Sequence, residues 1–485
     1  MSLTQTTPLD VTRDPPLARM LIGGAWRGGE VHDDVVDPYR GEVVGRVARS
    51  TLRDLDDALV AAVAAKPIMA AMPGYQRAAL LRRVQTLIVE RADEIGEIMT
   101  RETGKAIKDA KAEVLRSQDT LSLAAEEAIR IEGEHVPLDG TAMGAGKMAF
   151  LLRFPVGVVA GITPFNAPFN LACHKIAPAL AAGNSIVIKA PPQAPRVVAK
   201  LVELFHEAGT PAGSVGLLFG NEVGPALVRD PRVDFVTFTG SSRVGREIKG
   251  ASGLTRVALE LGGNGATIVH EDADPAIAAP LCARNSMRLA GQSCISVQNV
   301  YVHESLADQV IALMVAEIGK LKAGDPLDPE TDVGTLIDEA AARRVESWVE
   351  EARASGARVL TGGVRTGAHY APTLLTDIDR SQKVVCEEVF GPVVSVHRYR
   401  DIETVFEQIN ASPYGLQCGI FTASLATGMR AIRAIRAGGV IINGTSTWRT
   451  DQLPYGGVKD SGIGREGPRY AMRDMTEERL VVFNL

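Results

Sequence analysis

The sequence predicts an α/β protein built on parallel sheets, and three observations carry that expectation. From residue 156 onward, short apolar β-branched runs alternate with helical stretches, the mark of repeated strand–helix units. Small residues are plentiful, with 48 glycines in 485 residues, which lets helices pack closely on sheets. Aromatics make up only 5%, which suits the same class.

Taken in order, the first twenty residues read as a loose arm, and MLIGGAW and EVVGRVA as short strands. Residues 53–128 read as helical throughout, with Leu80, Val84, Leu87, Ile88, Ile95 and Ile98 forming one buried stripe at three- and four-residue spacing. IRIEGEHVPL and KMAFLLRF flank the Gly-rich turn LDGTAMGAGK, which predicts a hairpin over 129–155. VGVVAGI is a strand ending at Thr163-Pro164, and NLACHKIAPALAAG a helix closed by Gly183. SIVIK, SVGLLFG, FVTFTG and RVALELGG add strands, with the helix RVVAKLVELFHEAG after SIVIK. ATIVHEDAD restarts the pattern near 266, and helices follow over 274–289 and 305–321, then the strands VVSVHRY and GGVIING. ERLVVFNL at the C-terminus is a lone strand that must pair with the distant hairpin or with another subunit.

Composition narrows the function. The net charge is −6, with 52 basic against 58 acidic residues, so no basic field favours nucleic acid. Five cysteines without a C-x-x-C pair exclude a disulfide scaffold and a zinc ribbon, so no metal is expected and a reducing compartment is favoured. The first twenty residues lack the apolar core of a signal peptide, and no apolar run reaches the roughly 18 residues of a membrane span. The expectation is a cytoplasmic protein. Gly462-Ile463-Gly464-Arg465-Glu466-Gly467 spells G-x-G-x-x-G, but only eighteen residues follow it. No βαβ unit fits there, so the match is assigned to loop geometry.

Four segments carry chemistry. Cys294, in GQSC between a helix and a strand, reads as an exposed thiol held by nearby amides that favour thiolate. The plain alternative is a buried, inert cysteine. Glu260, in ALELGG at a strand end, is flanked by apolar residues that would raise its pKa toward a useful base; otherwise it reaches water. Asn166, held between Pro164 and Pro168 after a strand, can aim an amide N–H at an oxyanion or simply cap the turn. FTGSSRVG at 238–245 opens a helix with free amides that suit a phosphate, or forms an ordinary cap. Lys105 and Lys175 read as solvated lysines, and His174 as packing.

From about residue 20 to the end, the chain resembles the NAD(P)-dependent aldehyde dehydrogenase superfamily. The motifs are TPFNAP at 163–168, FTGSSRVG, LELGGN at 259–264, GQSCI at 291–295, EEVFGPV at 387–393 and PYGGVKDSGIGREG at 454–467. The resemblance implies Cys294 as nucleophile, Asn166 and the Cys294 N–H as oxyanion donors, and Glu260 as base for hydrolysis of a thioester. It implies that NAD or NADP is held by Lys189, Ser241, Glu388 and Phe390 beside Pro164, with Gly240 and Gly245 allowing close approach. Pro192 stands where many NAD-preferring members carry a Glu on the ribose hydroxyls, so weakened discrimination against NADP is expected.

Within the superfamily, the chain looks most like the lactaldehyde, glyceraldehyde and phosphonoacetaldehyde dehydrogenases. Ala167 and Ser293 argue against a phosphonate. The implied substrate is a small hydroxyaldehyde or semialdehyde, in a tunnel lined by Ala167, Phe169, Ser293, Ile295, Trp448 and Arg449. Arg449 either pairs with an acidic group of the substrate or lies at the surface or between subunits. Rival readings are a CoA-acylating dehydrogenase, which Glu260 disfavours, a cofactor-free cysteine hydrolase, and a non-catalytic binding or structural member. The implied architecture is a cofactor domain over 1–128 and 156–260 and a catalytic domain over 261–460. An oligomerisation element of 129–155 and 461–485 would build a homodimer or homotetramer.

Overall fold

The computed structural model describes residues 15–485, so most of the expected N-terminal arm lies outside the described residues. Its larger sheet has eight strands. Five are parallel: Arg256–Glu260, Phe235–Thr239, Val158–Ile162, Ser185–Lys189 and Val215–Leu218. The central strands are apolar and buried on both faces, as parallel strands covered by helices must be. The helix Pro168–Ala182 is buried at every position, which is why its sequence is apolar but for Asn170, His174 and Lys175. It stops where Gly183 takes the left-handed conformation, φ 92°.

The second sheet has seven strands. Gly265–Val269 is central, with Val297–His303, Val393–Tyr399 and Thr373–Thr376 parallel on one side. Gln417–Phe421 and Gly439–Ile442 lie parallel on the other, and Arg358–Thr361 closes the far edge antiparallel. Helices Pro275–Met287 and Glu304–Ile318 bury Cys282, Ala283, Met287, Val310 and Met314 against this sheet.

The stretch read as helical throughout, 53–128, is four helices, Leu52–Ala71, Gly74–Glu90, Ala92–Thr103 and Ile107–Ala128. Pro73 caps the second, and Gly104 at φ 69° ends the third. Leu80, Val84, Ile88 and Ile95 are buried as the spacing predicts. The C-terminal strand Thr476–Asn484 finds its partner within the chain. It pairs antiparallel with Lys147–Pro155, whose other edge takes Glu134–Val136. This small sheet leaves Met148, Leu152, Leu480, Val482 and Phe483 exposed.

The segment before that strand belongs elsewhere. Gly462–Ile463 adds an antiparallel edge to the larger sheet, and Pro468–Asp474 is a helix whose Met472 joins that sheet's apolar core. The G-x-G-x-x-G run is therefore an edge strand and turn, with Gly464 and Gly467 at φ 80° and 105°. No helix among the described residues is long and apolar enough to cross a membrane.

Candidate active site

Cys294 follows an unusual turn. Leu289, Ala290 and Gly291 are all left-handed, with φ of 57°, 51° and 69°. Each non-glycine residue there costs about 1–2 kcal/mol. Gly291 is required because a Cβ would overlap the Gly391 carbonyl. The turn leaves Cys294 half-buried, its Sγ 3.2 Å from the Tyr455 hydroxyl. The expectation of an exposed thiol poised as thiolate is corrected: burial pushes the Cys294 thiol up to about 12, and the Tyr455 hydrogen bond only partly offsets it.

Asn166 lies beyond the strand Val158–Ile162, and its Nδ2 donates to the Gln292 carbonyl at 3.0 Å. Gln292 is itself fixed, because its Oε1 accepts from Ile337 N at 2.9 Å. One amide hydrogen of Asn166 is thereby anchored and the other is left for a ligand. Glu260 ends the strand Arg256–Glu260 and is buried, with both carboxyl oxygens unpartnered among the described residues. Burial, then the charge of Glu466, raises it well above the usual carboxylate range.

Gly262 and Gly263 explain how these groups meet. A Cβ on Gly262 would strike the Glu388 carboxylate, and one on Gly263 would overlap the Cys294 carbonyl. Two glycines therefore let the strand end at Glu260 pass between Glu388 and the Cys294 backbone. Asn166 bonds the carbonyl two residues before Cys294, and a charge on Glu260 would push the Cys294 thiol further up.

A buried ionic network backs the site. Arg449 Nη2 meets Glu466 Oε2 at 2.7 Å, and its guanidinium carbon lies 3.9 Å from the Tyr455 ring centre. Burial raises Glu466, but His174, Arg449 and Lys175 outweigh it and hold its carboxyl down at about 2. Asp451 is buried, accepting from Thr120 Oγ1 at 2.9 Å and pairing with Arg116 and with His174 at 3.3 Å. Four expectations are corrected here. Arg449 is not a surface residue, because an acid partner and a ring enclose it. Lys175 is buried, donating to Thr239 Oγ1 at 2.7 Å, and Lys105 is buried against Glu113. His174 is a member of the polar network rather than mere packing.

Beside Cys294 lies a cavity of about 140 Å³ whose lining includes Ala167, Ser293, Ile295, Arg116, Arg288 and Arg449. Phe169 is instead fully buried in the core, and Trp448 is 54% exposed, so neither lines this cavity as expected. Sequence reasoning missed Arg116, Asp451, Tyr455 and Glu466 as site residues. Tyr455 and Glu466 were within reach, since both fall in PYGGVKDSGIGREG, where an acid between glycines in a loop demands a partner.

The residues expected to hold a dinucleotide flank the same region. Glu388 Oε1 accepts from Gly263 N at 3.0 Å, while its Oε2 has no donor among the described residues. Burial pushes Glu388 up to about 7 and Lys189 down to about 8. Lys189 reaches Asn221 Oδ1 at 3.2 Å. Phe390 sits at φ 47°, its ring edge-on to Phe165 at 5.8 Å, and Pro164 is half-buried two residues past the strand Val158–Ile162. Ser241 is exposed and caps the helix Ser242–Ala251. The two helix-start glycines have an internal reason: a Cβ on Gly245 would strike Leu261, and one on Gly240 the Phe238 ring. A carboxylate with an unused oxygen, a desolvated ammonium and a helix N-terminus capped by an exposed serine together fit two ribose groups and a diphosphate. No group of His, Cys, Asp and Glu that could hold a metal occurs among the described residues.

Comparison with known proteins shows the family. The sequence model described as "Aldehyde dehydrogenase family" matches residues 26–481. The chain is 44% identical to a 3-sulfolactaldehyde dehydrogenase of Priestia aryabhattai, over 96% of this chain and 98% of that one. It is similar to the solved structure of aldehyde dehydrogenase 21 from Physcomitrella patens in complex with the reaction product succinate. There the identity is 40%, the TM-score 0.95, and the cover 98% of this chain and 99% of that one. An NADP-dependent glyceraldehyde-3-phosphate dehydrogenase from Bacillus halodurans, solved with NADP, matches with TM-score 0.94 and 35% identity, over 96% and 99% of the two chains.

Proposed function

The chain belongs to the aldehyde dehydrogenase family and oxidises an aldehyde to a carboxylic acid with NAD or NADP; we propose that Cys294, Glu260 and Asn166 carry the reaction. The single observation behind this reading is that Gly263, three residues past Glu260, packs on the Cys294 carbonyl, while Asn166 bonds the Gln292 carbonyl two residues before that cysteine. The Cys294 sulfur attacks the aldehyde carbon and forms a thiohemiacetal. The free N–H of Asn166 and the Cys294 N–H hold its oxyanion; removing one such donor typically costs about 3 kcal/mol. When bound, the nicotinamide would supply the acceptor for the hydride whose loss turns the thiohemiacetal into a thioester, and Lys189, Ser241, Glu388 and Phe390 would hold the cofactor. Glu260 takes a proton from the water that cleaves the thioester, and its dry surroundings make it a strong base once ionised.

The substrate is a small hydroxyaldehyde or semialdehyde bearing an acidic group. Support comes from the cavity beside Cys294, where three arginines and Lys105 outnumber Asp109 and Glu113, and from two relatives, one named for 3-sulfolactaldehyde and one solved with the dicarboxylate succinate. Arg116 is an available cation in this lining, its side chain 38% exposed and oriented by Asp451. A cofactor domain of 1–128 and 156–260, a catalytic domain of 261–460 and a 129–155 and 461–485 element complete the reading, with residues 462–474 adding to the larger sheet and its core. The exposed apolar row on the small sheet suits a homodimer or homotetramer, and five free cysteines suit the cytoplasm.

Steady-state assays with both cofactors and a panel of anionic and neutral short aldehydes test this function. Cys294→Ala is expected to abolish turnover of every aldehyde the parent oxidises. Full NAD(P)-linked turnover by that variant refutes the assignment.

A further inference from the structure

We infer that Tyr455 is a further catalytic residue, whose phenol donates a hydrogen bond to the Cys294 sulfur as thiolate, both when the carbon–sulfur bond forms and when it breaks. The inference rests on the reading of Cys294 as nucleophile and adds a partner to it.

The geometry is direct. The phenol oxygen lies 3.2 Å from Sγ, and the ring is buried between Ile295 and Leu416. The Tyr455 backbone is clamped to Glu466, accepting from its N–H at 2.6 Å and donating to its carbonyl at 3.1 Å. The ring's face is covered by Arg449, whose charge Glu466 balances. A cation over the ring withdraws electron density from the π system and makes the phenol a stronger donor.

The direction of the hydrogen bond follows from the ionisation state. With a neutral thiol, either atom can donate. Once the thiol proton has passed to water, the sulfur has none to give, and only the phenol can donate. Burial opposes thiolate here, so each donor on the sulfur raises the reactive fraction. In the forward step, the sulfur electron pair makes the bond to the aldehyde carbon and the C=O π pair moves to oxygen. In thioester hydrolysis, water's oxygen bonds to that carbon and the C–S pair returns to sulfur, where the phenol again donates. The phenol keeps its proton throughout and neither gains nor loses electrons.

The test is the second-order rate constant for iodoacetamide alkylation of Cys294 between pH 7 and 9, in the full chain, with peptide mapping to separate it from the exposed Cys386. Tyr455→Phe keeps the ring and its contact with Arg449. It is expected to lower the rate constant about tenfold at each pH, one unit of thiol pKa. Tyr455→3-fluorotyrosine, a stronger donor of nearly the same shape, is expected to raise it several-fold. A fluorinated protein no faster than the parent overturns the proposal, and so does a Phe variant that alkylates as fast as the parent at the parental melting temperature. Because alkylation reads the thiol rather than turnover, this failure is distinct from failure of the nucleophile assignment, which Cys294→Ala reports.

Discussion

Arg449 and Glu466 form an ion pair at 2.7 Å inside the protein, with side chains only 10% and 6% exposed. A pair this enclosed contributes little net stability when intact but is costly to break, because the survivor keeps a buried charge. Arg449→Leu is therefore expected to lower unfolding stability by about 3–5 kcal/mol, read by chemical denaturation. A loss under about 1 kcal/mol, the scale of an exposed pair, contradicts this account.

Arg116 gives a cleaner view of the substrate, because its other partner, Asp451, remains bound to Thr120 and His174. Arg116→Met is expected to raise KM for anionic aldehydes by about 10- to 100-fold, the worth of one charge-assisted hydrogen bond. KM for a neutral short aldehyde should stay near the parental value. Equal rises for both classes remove Arg116 from substrate recognition.

Cofactor affinity should follow a bell in pH. As pH falls through about 7, Glu388 takes a proton and becomes a weaker acceptor for ribose hydroxyls. As pH rises through about 8, Lys189 loses the charge on its donor. Binding titrations on the full chain are expected to be tightest between the two, with Glu388→Gln flattening the acid limb and Lys189→Ala the alkaline limb. A flat profile in the parent excludes both residues from the cofactor.

Glu260→Gln should separate the two halves of the reaction. The first turnover's burst of reduced cofactor is expected to survive while steady turnover falls by about 10²- to 10⁴-fold. Glu466→Gln removes a negative charge that holds Glu260 up, so the pH at which hydrolysis turns on should fall. A rise, or no movement, would place the base elsewhere.

Gly263→Ala puts a methyl onto the Cys294 carbonyl. Displacing the nucleophile by about 1 Å typically costs 10²-fold in rate. Stopped-flow measurement of the first turnover should show that loss even where the melting temperature falls only slightly.

Much of this was legible in the sequence because strand–helix alternation is written in local periodicity. Ser185–Lys189 and Phe235–Thr239 fall where SIVIK and FVTFT place them. The helices of 52–128 were harder: the apolar stripe gives the buried face, while the breaks rest on single residues such as Pro73 and Gly104. The signature motifs pointed to Cys294, Glu260 and Asn166. They gave no sign that Lys175, His174 and Arg449 are buried, because partners such as Glu466, Asp451 and Thr239 are distant in the chain. Nor did the GQSC turn reveal a thiol held back by burial, since solvent access is a property of the packed site.

The stretch from Tyr455 to Gly467 starts on the residue that touches the sulfur and then runs along the last strand of the larger sheet, where Gly462 sits opposite Glu260. One strut thus sets the gap between sulfur and carboxylate from both ends. Cutting or lengthening it would put the two half-reactions out of step with every reacting residue still present in the chain.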